Sequence, residues 1–158
     1  MNLPNKLTVT RLVFVPIFFL SYLLRNLHFE SAPIVSTVLM VVCYLVAEIS
    51  DLLDGKIARK HNLVTDLGKV LDPFADTLSH LTFFVCFLSF GVMPVWTFVI
   101  IMWREFAILF MRMLIIKQGG KAMPANIFGK SKTVLYAITT LLTIIFITVI
   151  TFSSAVVR

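Results

Sequence analysis

The sequence predicts an all-α polytopic membrane protein, a bundle of five to six transmembrane helices with an N-terminal interfacial segment. Three observations predict it. Of the 158 residues, 59% are hydrophobic, against about 45–50% in a typical soluble domain. Mean hydropathy is +0.96, and only 14% of residues are charged, too few to cover a soluble surface. The apolar residues also gather into long runs, each close to the roughly 20 residues that a helix needs to cross a bilayer core. No repeat, linker or low-complexity stretch divides the chain, so it reads as one membrane-embedded domain, 1–158.

The runs fall at about 10–28, 32–53, 71–90, 93–116 and 131–152. The first follows a polar start, Asn2 to Thr8, in which Pro4 suits the opening turn of an interfacial helix. Its apolar stretch, Leu12 to Leu24, has no small-residue cleavage site and is expected to stay as a span. The second run ends on acidic residues and the third begins on them. The fourth holds Arg104, Glu105 and Arg112 within apolar sequence, and the fifth opens on Lys130 and Lys132. Each run is too long for a soluble strand. Cys43 and Cys86 lie inside apolar runs and read as buried free thiols, with no disulfide framework or zinc spacing around them.

Counting Lys and Arg orients the bundle. Ten lie in the N-terminal stretch and in segments 54–70 and 117–132, whereas the other side has only two, Arg25 and Arg158. This asymmetry predicts that the N-terminus and both segments face the cytoplasm. It also accounts for the net charge of +6. The basic residues form no single patch, so nucleic acid is not an expected partner.

Charge inside a membrane span is costly and marks function. Four of the five aspartates fall in one pattern: Asp51-x-x-Asp54-Gly55-x-x-Ala58-Arg59, then Gly68-x-x-x-Asp72-x-x-x-Asp76. Spacings of three and four place each pair on one helix face. One pair ends the second span and the other begins the third, so a short connection brings them face to face. Four converging carboxylates repel and call for cations. Oxygen-only ligands suit hard divalent ions, and two such ions clamp a pyrophosphate. Gly55 and Ala58 leave room for a nucleotide, and Arg59 suits bidentate phosphate binding.

This pattern resembles the complete signature of the CDP-alcohol phosphatidyltransferase family. The resemblance implies a six-helix bundle, generally a homodimer, with its active site at the cytoplasmic face of an inner (cytoplasmic) membrane. It implies two Mg²⁺ or Mn²⁺ ions on Asp51, Asp54, Asp72 and Asp76, with Asp76 also the catalytic base. By the same resemblance Gly55, Ala58, Arg59, Thr65 and Gly68 contact the CDP-lipid, joined by Asn5 and Thr8 of the N-terminal start. The chain ends near its fifth span, at Arg158. Either a final helix is missing or the N-terminal segment supplies the sixth.

Three further features resemble bacterial phosphatidylglycerophosphate synthases: Leu3-Pro4-Asn5-Lys6-Leu7-Thr8-x-x-Arg11, Arg104-Glu105, and Gly129-Lys130-Ser131-Lys132-Thr133. The implied reaction joins CDP-diacylglycerol and glycerol 3-phosphate. A dianionic acceptor needs cations beside the metals, and Arg104, Arg112, Lys130 and Lys132 are the candidates. Glu105 or Glu48 pairing with one of the arginines would make that arginine structural. Thr77 departs from the family, since enzymes using glycerol phosphate generally show Lys after the last aspartate. Inositol phosphate, serine or phosphatidylglycerol (giving cardiolipin) therefore stay open as acceptors. His80, one turn past Asp76, reads as a hydrogen-bonded helix histidine. Outside this class, the acids would mark a cation or proton transporter, or cap the helices of a scaffold.

Overall fold

The computed structural model describes residues 3–25, 31–61, 66–117 and 127–156. Among them are five helices: α1 (Leu3–Leu24), α2 (Ala32–His61), α3 (Asp66–Ser89), α4 (Val95–Lys117) and α5 (Ile127–Val156). The all-helical expectation holds, and the element boundaries sharpen it. Residues from Leu3 run straight into α1 without a separate interfacial helix, which Pro4 permits because a first-turn proline costs no hydrogen bond. The segment read as a 54–70 loop is largely helical. α2 continues through Asp54 to His61 and α3 starts at Asp66, so both aspartate pairs sit within helices.

Three of the helices are long and apolar enough to cross a membrane: α1 over Lys6–Leu24, α2 over Ala32–Leu53 and α5 over Ser131–Ser154. α3 and α4 fall short of that measure for a physical reason. α3 carries Asp72, Asp76 and His80, which lower its hydropathy, while α4 holds three charged residues, Arg104, Glu105 and Arg112, within its apolar length.

The core lies between α1, α2, α3 and α5. Phe18 packs on Phe83 with ring centroids 4.6 Å apart, Tyr44 meets the same ring edge-on at 5.7 Å, and Phe84 meets Tyr136 at 5.2 Å. Met40, Cys43, Phe87, Ile144 and Ile147 fill the space around them. Large apolar side chains also cover the outside, among them Leu20, Ile49, Ile100, Leu142 and Val149, as expected where the solvent is lipid. Four hydroxyls within the apolar zone are satisfied locally. Ser21, Thr37, Ser79 and Thr151 each donate to the carbonyl four residues earlier.

The turn from α3 to α4 is specified by its residues. Val92 N–H donates to Phe87 C=O (3.1 Å) and Gly91 N–H to Leu88 C=O (3.0 Å), the two bonds of a Schellman cap. Gly91 takes φ = 74°, which a side chain resists. Pro94 then opens the way into α4. The chain reverses within five residues, so α4 returns beside α3 and brings Glu105 to the acidic end of the bundle.

Candidate active site

The site assembles where α2 ends, α3 begins, and α1 and α5 present their N-terminal halves. α1 straps the aspartates together through two residues on one of its faces. Thr8 Oγ1 donates to Asp72 Oδ1 at 2.8 Å, and Arg11 Nη2 lies 2.7 Å from Asp51 Oδ1. Thr8 and Arg11 are both buried, at 0% and 2% exposure. A buried guanidinium is tolerated only when paired, and Asp51 supplies the countercharge.

Asp76 is approached from two sides. Its Oδ1 is 3.2 Å from His80 Nδ1, and its Oδ2 is 3.5 Å from Lys132 Nζ. Lys132 itself is held by Glu105, with Nζ to Oε2 at 2.7 Å, and passes over the Tyr136 ring at 5.0 Å. Glu105 is 3% exposed and also receives the Tyr136 hydroxyl (3.0 Å) and the Arg104 guanidinium. Three donors on one buried carboxylate make a rigid post for Lys132.

A small, open cleft lies between these groups, with Glu48, Asp51, Asp76 and His80 among its walls. Asp51 lies within electrostatic reach of Asp72 and Asp76 across the helices. All-carboxylate oxygen donors suit hard divalent ions. Among the described residues, no three such side chains are gathered closely enough to ligate one ion. Arg11 and Lys132, the protein's own cations, engage the carboxylates here.

The remaining expected residues divide clearly. Gly68 is buried in α3, and Arg104 is bound to Glu105, the pairing expected of one arginine. Arg112 is exposed on α4, and of the three basic candidates whose side chains are described only Lys132 reaches Asp76. Thr77 is buried. His80 accordingly is a hydrogen-bonded helix histidine, its Nδ1 2.8 Å from the Asp76 carbonyl oxygen. Asp54, Gly55, Ala58 and Arg59 lie on α2 and Asn5 and Lys130 on α1 and α5, but their side-chain positions fall outside the described residues, as does Thr65 altogether.

Sequence reasoning gave three contributors no place in the site. Glu48 extends the acidic face of α2 one turn before Asp51, at the spacing that already joined Asp51 to Asp54. Arg11 follows Thr8 by three residues, and Tyr136 follows Lys132 by four. Helical spacing was the available signal in each case.

The profile of the CDP-alcohol phosphatidyltransferase family matches residues 1–157. The chain belongs to that family. It is similar to the CDP-diacylglycerol–glycerol-3-phosphate 3-phosphatidyltransferase of Bacillus subtilis (strain 168), 37% identical over 138 residues, covering 84% of this chain and 70% of that protein. The protein of the same name from Treponema pallidum (strain Nichols) is 36% identical over 141 residues, 86% of this chain and 65% of that protein. A cardiolipin synthase (CMP-forming) of Streptomyces coelicolor is 32% identical over 133 residues, 84% of this chain and 60% of that one. The chain thus matches between 60% and 70% of the length of these three relatives. As a phosphatidyltransferase-family member with apolar spanning helices, it is a membrane protein. The family is generally dependent on divalent metal.

Proposed function

We propose that the chain transfers the phosphatidyl group of CDP-diacylglycerol to glycerol 3-phosphate, giving phosphatidylglycerophosphate and CMP. The observation that carries this reading is Asp76 flanked by Lys132, beside Asp51 and Asp72. A base and a cation stand together there, as a phosphorylated alcohol requires. Two relatives named for the same reaction support it. The cardiolipin synthase relative and Thr77 favour a second reading, with phosphatidylglycerol as acceptor.

In the first reading, the primary hydroxyl oxygen of the acceptor attacks the phosphorus that bears diacylglycerol. The bond from that phosphorus to the CMP oxygen breaks, and the hydroxyl proton passes to the Asp76 carboxylate. Asp51, Asp54, Asp72 and Asp76 would hold two divalent ions, Mg²⁺ or Mn²⁺, which supply charge neutralisation at the pyrophosphate when bound. Lys132 receives the acceptor phosphate, and Glu105 holds its ammonium in place. Arg104, Arg112 and Lys130 add positive potential around that phosphate. Asn5, Thr8, Gly55, Ala58, Arg59, Thr65 and Gly68 take the CDP moiety. Positioning and electrostatics do most of the work in such a displacement. The bias of basic residues supports placing this end at the cytoplasmic face of the inner membrane, and the family resemblance supports a homodimer of single-domain chains.

Purified protein in lipid micelles, given CDP-diacylglycerol and each acceptor in turn, tests the reading. CMP and phosphatidylglycerophosphate should form with glycerol 3-phosphate and disappear on chelation of divalent ions. Product from phosphatidylglycerol but none from glycerol 3-phosphate would transfer the assignment to cardiolipin synthesis. CMP release that survives chelation would overturn the metal sites.

A further inference from the structure

The two carboxylate oxygens of Asp76 are approached from different helices. Oδ2 faces Lys132 of α5 at 3.5 Å, and Oδ1 lies 3.2 Å from Nδ1 of His80, one turn further along α3. The same Nδ1 is 2.8 Å from the Asp76 carbonyl oxygen. Both neighbours are acceptors, so Nδ1 carries a hydrogen, and that hydrogen is held against two oxygens of one residue. The ring has no room to swing away. Its side chain is only 9% exposed, and Phe83, Phe84 and Tyr136 surround it at centroid distances of 6.3, 6.3 and 5.3 Å. A bond to a carbonyl four residues earlier does not by itself call for an imidazole. Ser79 and Thr82 make the same bond on the same helix with a hydroxyl. The imidazole makes it while burying Nε2 without a hydrogen-bond partner among the described residues, which is costly. What it adds over a hydroxyl is the contact with Asp76 Oδ1.

We infer that His80 is a positioning residue for Asp76, its Nδ1–H holding the carboxylate in the orientation from which it takes the acceptor's proton. This rests on the reading above, in which Asp76 is the base. An aspartate carboxylate turns broadly about its terminal torsion, so an unheld base spends much of its time misdirected. With Oδ1 held against a ring that does not move, Oδ2 stays turned toward Lys132. A reacting or ligating carboxylate is oriented by such an outer partner, whose loss costs about 10- to 100-fold. In this role His80 touches neither substrate. It acts through Asp76 alone, and so in the same way for any acceptor alcohol.

Substitution separates the two ring nitrogens. Asparagine carries its amide nitrogen on Cγ, where Nδ1 is, whereas glutamine carries its own one bond further out, nearer the place of Nε2. His80→Leu should lower kcat for CMP release about 10- to 100-fold and leave KM for both substrates unchanged. Its thermal midpoint in detergent should not fall, since the stranded Nε2 leaves with the ring. His80→Asn should recover kcat to within about threefold of the wild type, because its donor stands where Nδ1 stood. His80→Gln should stay as slow as His80→Leu. An asparagine variant no faster than the glutamine one overturns the inference, and so do variants that all match the wild type. A kcat that merely tracks the thermal midpoint across the series overturns it too, as the mark of a packing role. The asparagine and glutamine pair decides the question even where the leucine variant does not fold. Asp76→Asn at the wild-type rate would instead sink the reading of Asp76 as the base, and this inference with it.

Discussion

The two ends of the bundle handle buried polarity in opposite ways. At the end formed by the C-termini of α1 and α5, Arg25 donates to Thr151 Oγ1 at 3.0 Å and lies over the Phe90 ring at 5.1 Å. Thr37 is 3.4 Å from the same hydroxyl, and Thr151 donates back to Ile147 C=O. Among the described residues one cation is absorbed there by neutral groups, with no carboxylate in the knot. The other end concentrates Asp51, Asp72, Asp76 and Glu105 against Arg11 and Lys132, and leaves His80 Nε2 buried without a hydrogen-bond partner among the described residues. Buried charge gathered in one place is weak evidence of stability, since desolvation offsets much of the attraction. Its concentration at one end speaks for chemistry, and the satisfied end shows how this bundle handles polarity where only structure is needed.

Asp76→Asn breaks the comparison most severely if it is right. It keeps the shape of the side chain but removes the base, and kcat should fall about 10²- to 10⁴-fold with the fold intact by circular dichroism. Full activity in that variant would remove the catalytic meaning of the acidic end. Lys132→Met comes next: KM for glycerol 3-phosphate should rise at least about tenfold while KM for CDP-diacylglycerol holds, because the cation serves one substrate only. Glu105→Gln sharpens the distinction between holding and binding. It should reproduce part of that KM effect and also lower the thermal midpoint, since it leaves Lys132 and Arg104 without their buried countercharge. An unaltered KM would show that Lys132 is positioned without its post.

At the satisfied end, Arg25→Leu should cost about 1 kcal/mol in stability, measured by unfolding in detergent, and leave kcat alone. A large loss of activity there would erase the contrast between the ends. Gly91→Ala is the mildest change. Nothing lies within 4 Å of the added methyl, so the cost is confined to the left-handed backbone, about 1–2 kcal/mol, with activity retained.

Much of this was legible in the chain because it is local. Runs near 20 residues mark spanning helices whatever they pack against, and aspartates three and four apart share a face in any α-helix. The DxxDG and DxxxD spacing therefore carried the reaction class and the family without a structure. Where the reading slipped, it treated polar residues as loop. Segment 54–70 is mostly helix because a helix can project past the apolar layer, and hydropathy alone does not see its end.

What only the tertiary structure decided is which partner each charge meets. Thr8 reaches Asp72 across 64 residues, Lys132 reaches Glu105 across 27, and Tyr136 joins the same carboxylate across 31. Such pairings depend on how each helix is rotated about its axis and on how far it slides along its neighbour. Those two quantities are set by side-chain packing at contacts such as Phe18 on Phe83 and Phe84 on Tyr136. The sequence by itself determined the membrane bundle, the acidic faces and the family. Packing determined that Lys132 stands beside Asp76, and that His80 keeps one nitrogen buried without a partner among the described residues.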